Sequence, residues 1–211
     1  EACSTWFNTY TYPDTLNPEA IQRFVDVTHR EYAKRFKDKF GSVIPGIFTD
    51  EPNYHNHMRE ITDKAFVASL PWTDRFPEVF EKRHGHALGD VLPLAFSNAR
   101  EAARTKWEYF DCASYMITEA FSHTIGTWCE ENDLMHTGHV LLEDSPESQT
   151  TCCGSSMRFY EYMQAPGIDL LTEQAKLYDT AKQCSSVANQ FGRRWRISET
   201  YGVTGWDFRF D

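Results

Sequence analysis

No apolar run in the sequence approaches the ~20 residues that a bilayer-spanning helix requires, so no membrane partner is expected. Basic residues are also scarce: 21 Lys and Arg face 31 Asp and Glu, a formal charge of −10. That balance repels phosphate backbones and argues against nucleic acid as a partner. No glycine-rich phosphate loop of the G-x-G-x-x-G or G-x-x-x-x-G-K type follows any apolar run, which removes the usual nucleotide-binding signature. The six cysteines, at positions 3, 112, 129, 152, 153 and 184, contain no Cys-x-x-Cys pair and no regular spacing. A disulfide framework or zinc ribbon is therefore not indicated, and free, mostly buried thiols are expected, with the vicinal Cys152 and Cys153 in a polar loop. Repeats, low-complexity tracts and linkers are missing too, so residues 1–211 are read as one domain. The opening Glu1-Ala2-Cys3 is neither a Met start nor a charged-then-apolar leader. It reads as an internal cut or a processed end, and it leaves secreted, periplasmic and cytoplasmic placements all open.

What is present suffices for one substantial core: 211 residues, 41% of them hydrophobic. Aromatics reach 15%, with six Trp and ten Tyr, many beside Asn, Gly, Pro or Asp. Sugar-binding clefts have this composition, and so do well-packed cores. Asn17-Pro18-Glu19 reads as an N-cap with Pro at the first helical position, and Ile21, Phe24, Val25, Thr28, Tyr32 and Phe36 continue one helical stripe to Gly41. A longer helix is expected from Ser97 or Asn98 to Asn132, and another carries Leu177, Ala181, Cys184, Ala188 and Phe191 up to Gly192. Shorter helices are expected over 76–84 and 157–163. Between them lie strand-like runs near 6–12, 44–50, 134–141, 167–171 and 195–199. Strands alternating with helices imply right-handed crossovers and a parallel sheet. With no phosphate loop to favour an open nucleotide-binding sheet, the expectation is an α/β fold of the (β/α)8 barrel type, incomplete, with about five βα units.

In such a barrel the carboxyl ends of all strands meet on one face, where the loops build the site. Three of the expected strands end in acids or polar clusters: Phe48-Thr49-Asp50-Glu51-Pro52, His136-Thr137-Gly138-His139 followed by Glu143, and Ile197-Ser198-Glu199-Thr200-Tyr201-Gly202. Glu51 and Glu199 supply two carboxyl groups that could face each other across a mouth at ~5–10 Å. Glycosidic hydrolysis needs such a pair, one kept protonated to donate to the leaving oxygen and one to attack or activate water.

Several short motifs then resemble a known group: Gly46-Ile47-Phe48-Thr49-Asp50-Glu51-Pro52, Leu70-Pro71-Trp72-Thr73, Thr137-Gly138-His139, Pro166-Gly167-Ile168-Asp169 and Ser198-Glu199-Thr200-Tyr201-Gly202-Val203-Thr204-Gly205-Trp206. Together they are similar to the catalytic barrel of large, multidomain microbial glycoside hydrolases, most of all the α-L-rhamnosidase-like group. The resemblance spans nearly the whole chain and implies hydrolysis of a glycoside or oligosaccharide without a cofactor, with an eighth strand and flanking β-domains supplied elsewhere in the parent protein. It implies Glu51 and Glu199 as the catalytic pair. Asp50-Glu51-Pro52 resembles the acid-bearing Asn-Glu-Pro turn of carboxylate-pair barrels, departing from it in having Asp50 where Asn is usual. The substrate-binding set expected at the mouth is Asn8, Asp50, Tyr54, His139, Glu143 and Trp206. Glu143 is also a rival for the second catalytic role, and Trp6, Tyr10 and Trp72 are further candidate walls.

Two other readings stay open. His55, His57, His136 and His139, with Asp50, have the donor types of a metal-dependent hydrolase on a barrel face. A non-catalytic carbohydrate-binding barrel would keep the aromatics but has no use for two convergent acids.

Overall fold

The computed structural model describes residues 12–54, 69–97, 99–171 and 178–207. The strand expected near 6–12, all but its last residue, and the candidates Trp6, Asn8, Tyr10, His55 and His57 lie outside the described residues.

Helix α1 (Pro18–Val27) begins as its sequence dictates, with the Asn17 side chain accepting the Glu19 N–H and Pro18 in the first turn. Its apolar stripe buries Ile21 and Val25 completely. The single helix expected up to Gly41 is instead broken at Thr28, whose hydroxyl donates to the Phe24 carbonyl at 2.6 Å. Such back-bonding bends a helix, and the chain resumes as α2 (His29–Phe36).

Strand β1 (Gly46–Asp50) precedes α3 (Phe76–His84), which closes on Gly85 in the left-handed region at φ 78°. Helix α4 (Leu88–Ala95) was not anticipated, because Gly89 and Pro93 argue against a helix locally; burial of Leu88 and Ala95 overrides that propensity. The long helix expected to end at Asn132 is α5 (Ala102–Ile117) continued through a π-helical stretch, Thr118–His123, into α6 (Thr124–Glu131). Strand β2 (Met135–His139) follows, then α7 (Pro146–Cys152), α8 (Ser156–Tyr160), β3 (Ala165–Leu171), α9 (Tyr178–Gln190) and β4 (Ile197–Gly202). Cys152 and Cys153 therefore do not sit in a polar loop. The capping box of Ser145 and Ser148 starts α7 there, and both thiols are buried and free at its end, as are Cys112, Cys129 and Cys184.

The four strands pair in parallel in chain order, β1-β2-β3-β4. Register places Ile47 beside His136, Asp50 beside His139, Thr137 beside Ala165 and Asp169 beside Glu199. Because side chains alternate along a strand, Ile47, Thr49, His136, Ile168 and Leu170 face one way. There α6 packs on β2 and α9 on β3, and the apolar core is continuous with Ile21, Ile117, Ile125, Phe159 and Val187. Phe48, Asp50, Thr137, His139, Asp169 and Glu199 share the other face. Among the described residues the fold is thus α/β with four parallel strands, the four expected there, and no helix is long and apolar enough to cross a membrane.

Gly138 sets how closely β1 and β2 approach. It adopts φ 131°, and a Cβ built there would lie 2.0 Å from the Thr49 carbonyl oxygen. Gly138→Ala combines backbone strain with overpacking and is expected to cost about 3 kcal/mol or more. Gly85→Ala, also at positive φ but with nothing within 4 Å of the new methyl, is expected to cost only about 1 kcal/mol. Urea unfolding of both variants checks the contrast.

Candidate active site

Strand register alone brings Asp50 next to His139 and Asp169 next to Glu199 at the carboxyl ends of the sheet. The imidazole of His139 is the meeting point. It is 2% exposed, its Nε2 lies 3.1 Å from Oε2 of Glu199 and 3.5 Å from Oδ1 of Asp50, and the Phe48 ring stands edge-on to it at 5.6 Å. Both carboxylates can only accept, so the tautomer that fits carries its proton on Nε2.

Glu51 enters the same site from just beyond β1. It has φ 47°, a left-handed conformation unusual for a residue with a side chain, and its carbonyl accepts the Asn53 side-chain N–H at 3.0 Å. Its carboxyl, the His139 imidazole and the Asp169 carboxyl offer donor atoms that all lie within 4.8 Å of one another. Burial raises the Glu51 pKa, the charges of Asp50, Asp169 and Glu199 push in the same direction, and His139 opposes them. Asp169 is likewise raised, first by burial and then by Glu199, Asp50 and Asp144, against His139, and its Oδ1 is buried without a protein partner. Sequence reading quoted Asp169 in a motif but gave it no role. Its signal was its place at a strand end, legible only once the register with Glu199 is known.

The site therefore gathers Asp50, Glu51, His139, Asp169 and Glu199. Two trios, Asp50–His139–Glu199 and Glu51–His139–Asp169, have the donor types and the spacing with which a divalent cation can be held. Of the histidine set expected for metal chemistry, His55 and His57 lie outside the described residues, and His136 and His139 are not brought together. His136 sits on the helix-facing side of β2, three residues from His139 and so on the opposite face. It is fully buried against the Thr49 hydroxyl at 3.0 Å, and burial lowers its pKa to about 3.

The remaining expected residues are placed differently. Tyr54 is tied to α7, its N–H donating to the Cys152 carbonyl at 2.8 Å and its hydroxyl to the Thr150 carbonyl. Trp206 is fully exposed beyond β4. Glu143 is 3% exposed, with Oε1 accepting the Asp169 backbone N–H and Oε2 the Tyr160 hydroxyl, each at 2.6 Å. Its main-chain carbonyl takes the side chains of Gln149 and Thr180. Glu143 thus ties the loop after β2 to the strand that carries Asp169.

Burial raises the Glu143 pKa to about 7, outweighing the hydrogen bonds from Tyr160 and Asp169 that favour its anion. Below the ordinary glutamate range both folded and unfolded chains hold this proton. Between the ordinary value of 4.5 and about 7 only the unfolded chain has released it, so this group's contribution to stability falls as pH rises. Relative to Glu143→Gln, the native protein is expected to lose about 3 kcal/mol between pH 4 and 8. Denaturant unfolding of both proteins across that range checks the sign and size.

No family model and no curated protein matches this chain. Among solved structures, it is similar to a rhamnosidase from Novosphingobium sp. PP1Y, with a TM-score of 0.69 at 18% sequence identity over 93% of this chain. The chain spans 18% of that neighbour's length. At this identity the likeness establishes a shared fold.

Proposed function

We propose that the chain carries the active site of a glycoside hydrolase of the α-L-rhamnosidase-like group, its four strands being an arc of a (β/α)8 barrel. The observation that carries this reading is the convergence of four carboxyl groups, Asp50, Glu51, Asp169 and Glu199, on the single buried imidazole of His139 at the ends of consecutive parallel strands. The fold shared with a rhamnosidase supports it.

Glu51 is the proton donor. Burial and three neighbouring acids raise its pKa, as a general acid working near neutral pH requires. Glu199, half exposed and hydrogen-bonded to His139, takes the complementary part by attacking the sugar or deprotonating water. Asp50 and Asp169 are placed to accept hydroxyls of the bound sugar, the buried Oδ1 of Asp169 having no other partner. His139 holds Glu199 and Asp50 in position. Glu143 acts beneath the site by fixing the Asp169 backbone, and Tyr54 by bracing the turn after Glu51. A purely sugar-binding barrel gains nothing from acids that repel one another.

The parent protein is expected to turn over at least one member of a panel of nitrophenyl glycosides that includes the α-L-rhamnoside. Glu51→Gln and Glu199→Gln should each lower kcat by ~100-fold or more with melting temperature unchanged. Because nitrophenolate leaves without much help from an acid, the Glu51→Gln deficit should be larger on an alkyl glycoside than on the nitrophenyl one, whereas the Glu199→Gln deficit should not follow that order. Absence of turnover on the whole panel would overturn the reading. A harmless Glu199→Gln beside a crippling Glu143→Gln would move the second role to Glu143.

A further inference from the structure

A general acid faces the oxygen of the departing group, so the leaving group must lie on the Glu51 side of the site. A cavity of about 490 Å³, lined by Tyr12, Asp14, Asn53, Trp72, Asp74 and Arg75 among others, is linked to Glu51 through Asn53, whose side chain bonds the Glu51 carbonyl, and Tyr12, whose hydroxyl feels the Glu51 charge. Pockets of this size accept one small ring system.

Trp72 is its built feature. The indole stacks on Phe76 at 5.9 Å and 14°, and Phe76 stacks on Tyr109 at 4.5 Å and 23°. Phe76 and Tyr109 are fully buried, and the Tyr109 hydroxyl donates to the Pro71 carbonyl at 2.6 Å, anchoring the residue before Trp72. One indole face is thus backed by a rigid aromatic stack, and half of the residue remains exposed. An indole fixed this way presents a flat apolar surface without further loss of side-chain freedom.

The cavity walls are tied to one another and to the turn of the acid. The Thr73 hydroxyl donates to Asp14 Oδ2 at 2.6 Å, the Thr15 hydroxyl to the Asn53 carbonyl at 2.7 Å, and the Asn53 side chain to the Glu51 carbonyl at 3.0 Å. Asn53 is 7% exposed, and its side-chain oxygen has no hydrogen-bond partner in the protein. A buried amide oxygen without a donor is costly, and Asn53 lines this cavity.

We propose that this cavity is the leaving-group subsite. It takes a ring with a flat apolar face, aromatic or pyranose, stacked on Trp72 with a hydroxyl near Asn53. The inference rests on Glu51 as the acid.

The test uses the full-length parent protein bearing Glu51→Gln to suppress turnover, labelled with 15N, and follows the Trp72 indole N–H, assigned by its disappearance in Trp72→Phe. Titration with 4-nitrophenyl α-L-rhamnoside, or with a rhamnosyl disaccharide, is expected to shift this resonance. Methyl α-L-rhamnoside, which has no leaving-group ring, should leave it in place. Response to the aryl glycoside alone would identify an aromatic aglycone, and response to the disaccharide would identify a sugar. Trp72→Ala should weaken binding of the ring-bearing ligand at least tenfold without changing that of the methyl glycoside, and Trp72→Phe should restore most of the loss. Equal shifts with methyl and ring-bearing glycosides, or none with any, would overturn the subsite. Because the assay reads binding, failure of turnover in the unmutated parent would count against the hydrolase and leave this result to be read separately.

Discussion

Mutual repulsion among carboxyl groups is the constraint around which the strand ends are arranged. Glu51 and Asp169 bring donor atoms within 4.8 Å of each other, where two full negative charges would repel by about 3–4 kcal/mol at an effective dielectric of about 20. The chain relieves this in two ways. Burial raises the pKa values of Glu51 and Asp169, which favours their neutral forms. The imidazole of His139 stands among the acids, with Nε2 hydrogen-bonded to Glu199 and 3.5 Å from Asp50, and it opposes the rise in the pKa values of Glu51 and Asp169. Removing the imidazole would take away the donor that Glu199 now meets and the group that opposes the rise in the Glu51 and Asp169 pKa values.

That imidazole depends in turn on the sheet. His139 reaches the carboxyl end of the sheet beside Asp50 because β2 runs parallel to β1 with Asp50 as its partner, and the two strands can lie so close because Gly138 has no side chain to meet the Thr49 carbonyl. On the opposite face, Thr49 and His136 bond to each other and join the helix-facing layer. One four-residue run, His136-Thr137-Gly138-His139, therefore supplies a buried structural contact, the close approach of two strands and the hub of the site.

Much of this was legible beforehand. The strands announced themselves as short apolar or β-prone runs between helical stripes, and the four within the described residues lie where those runs do, ending within a few residues of the expected bounds. Glu51, Asp50, His139 and Glu199 were legible for the same reason, since each closes such a run. What was hidden needed register or burial. Asp169 becomes a candidate site residue only because it pairs with Glu199, and His136 ceases to be a candidate because strand alternation turns it away from His139. Glu143 follows a strand end as closely as a mouth residue would. The chain instead folds back there into α7, and the carboxyl ends up under Asp169. Helix α4 was invisible because its glycine and proline oppose the conformation that packing imposes.

The departure of Asp50 from the Asn-Glu-Pro pattern acquires a physical meaning at this site. An asparagine there would offer an amide donor to a ligand and place no charge beside the acid. Aspartate gives up that donor and supplies instead a carboxyl 3.5 Å from His139 Nε2 and a negative charge next to Glu51, where it is the strongest influence after burial in raising the pKa. In the proposed site, the loss of one hydrogen-bond donor is thus coupled to a gain in the proton affinity of Glu51. In the proposed site, ligand hydroxyls would act as donors to Asp50 and Asp169, two of the four acids that surround the imidazole among the described residues.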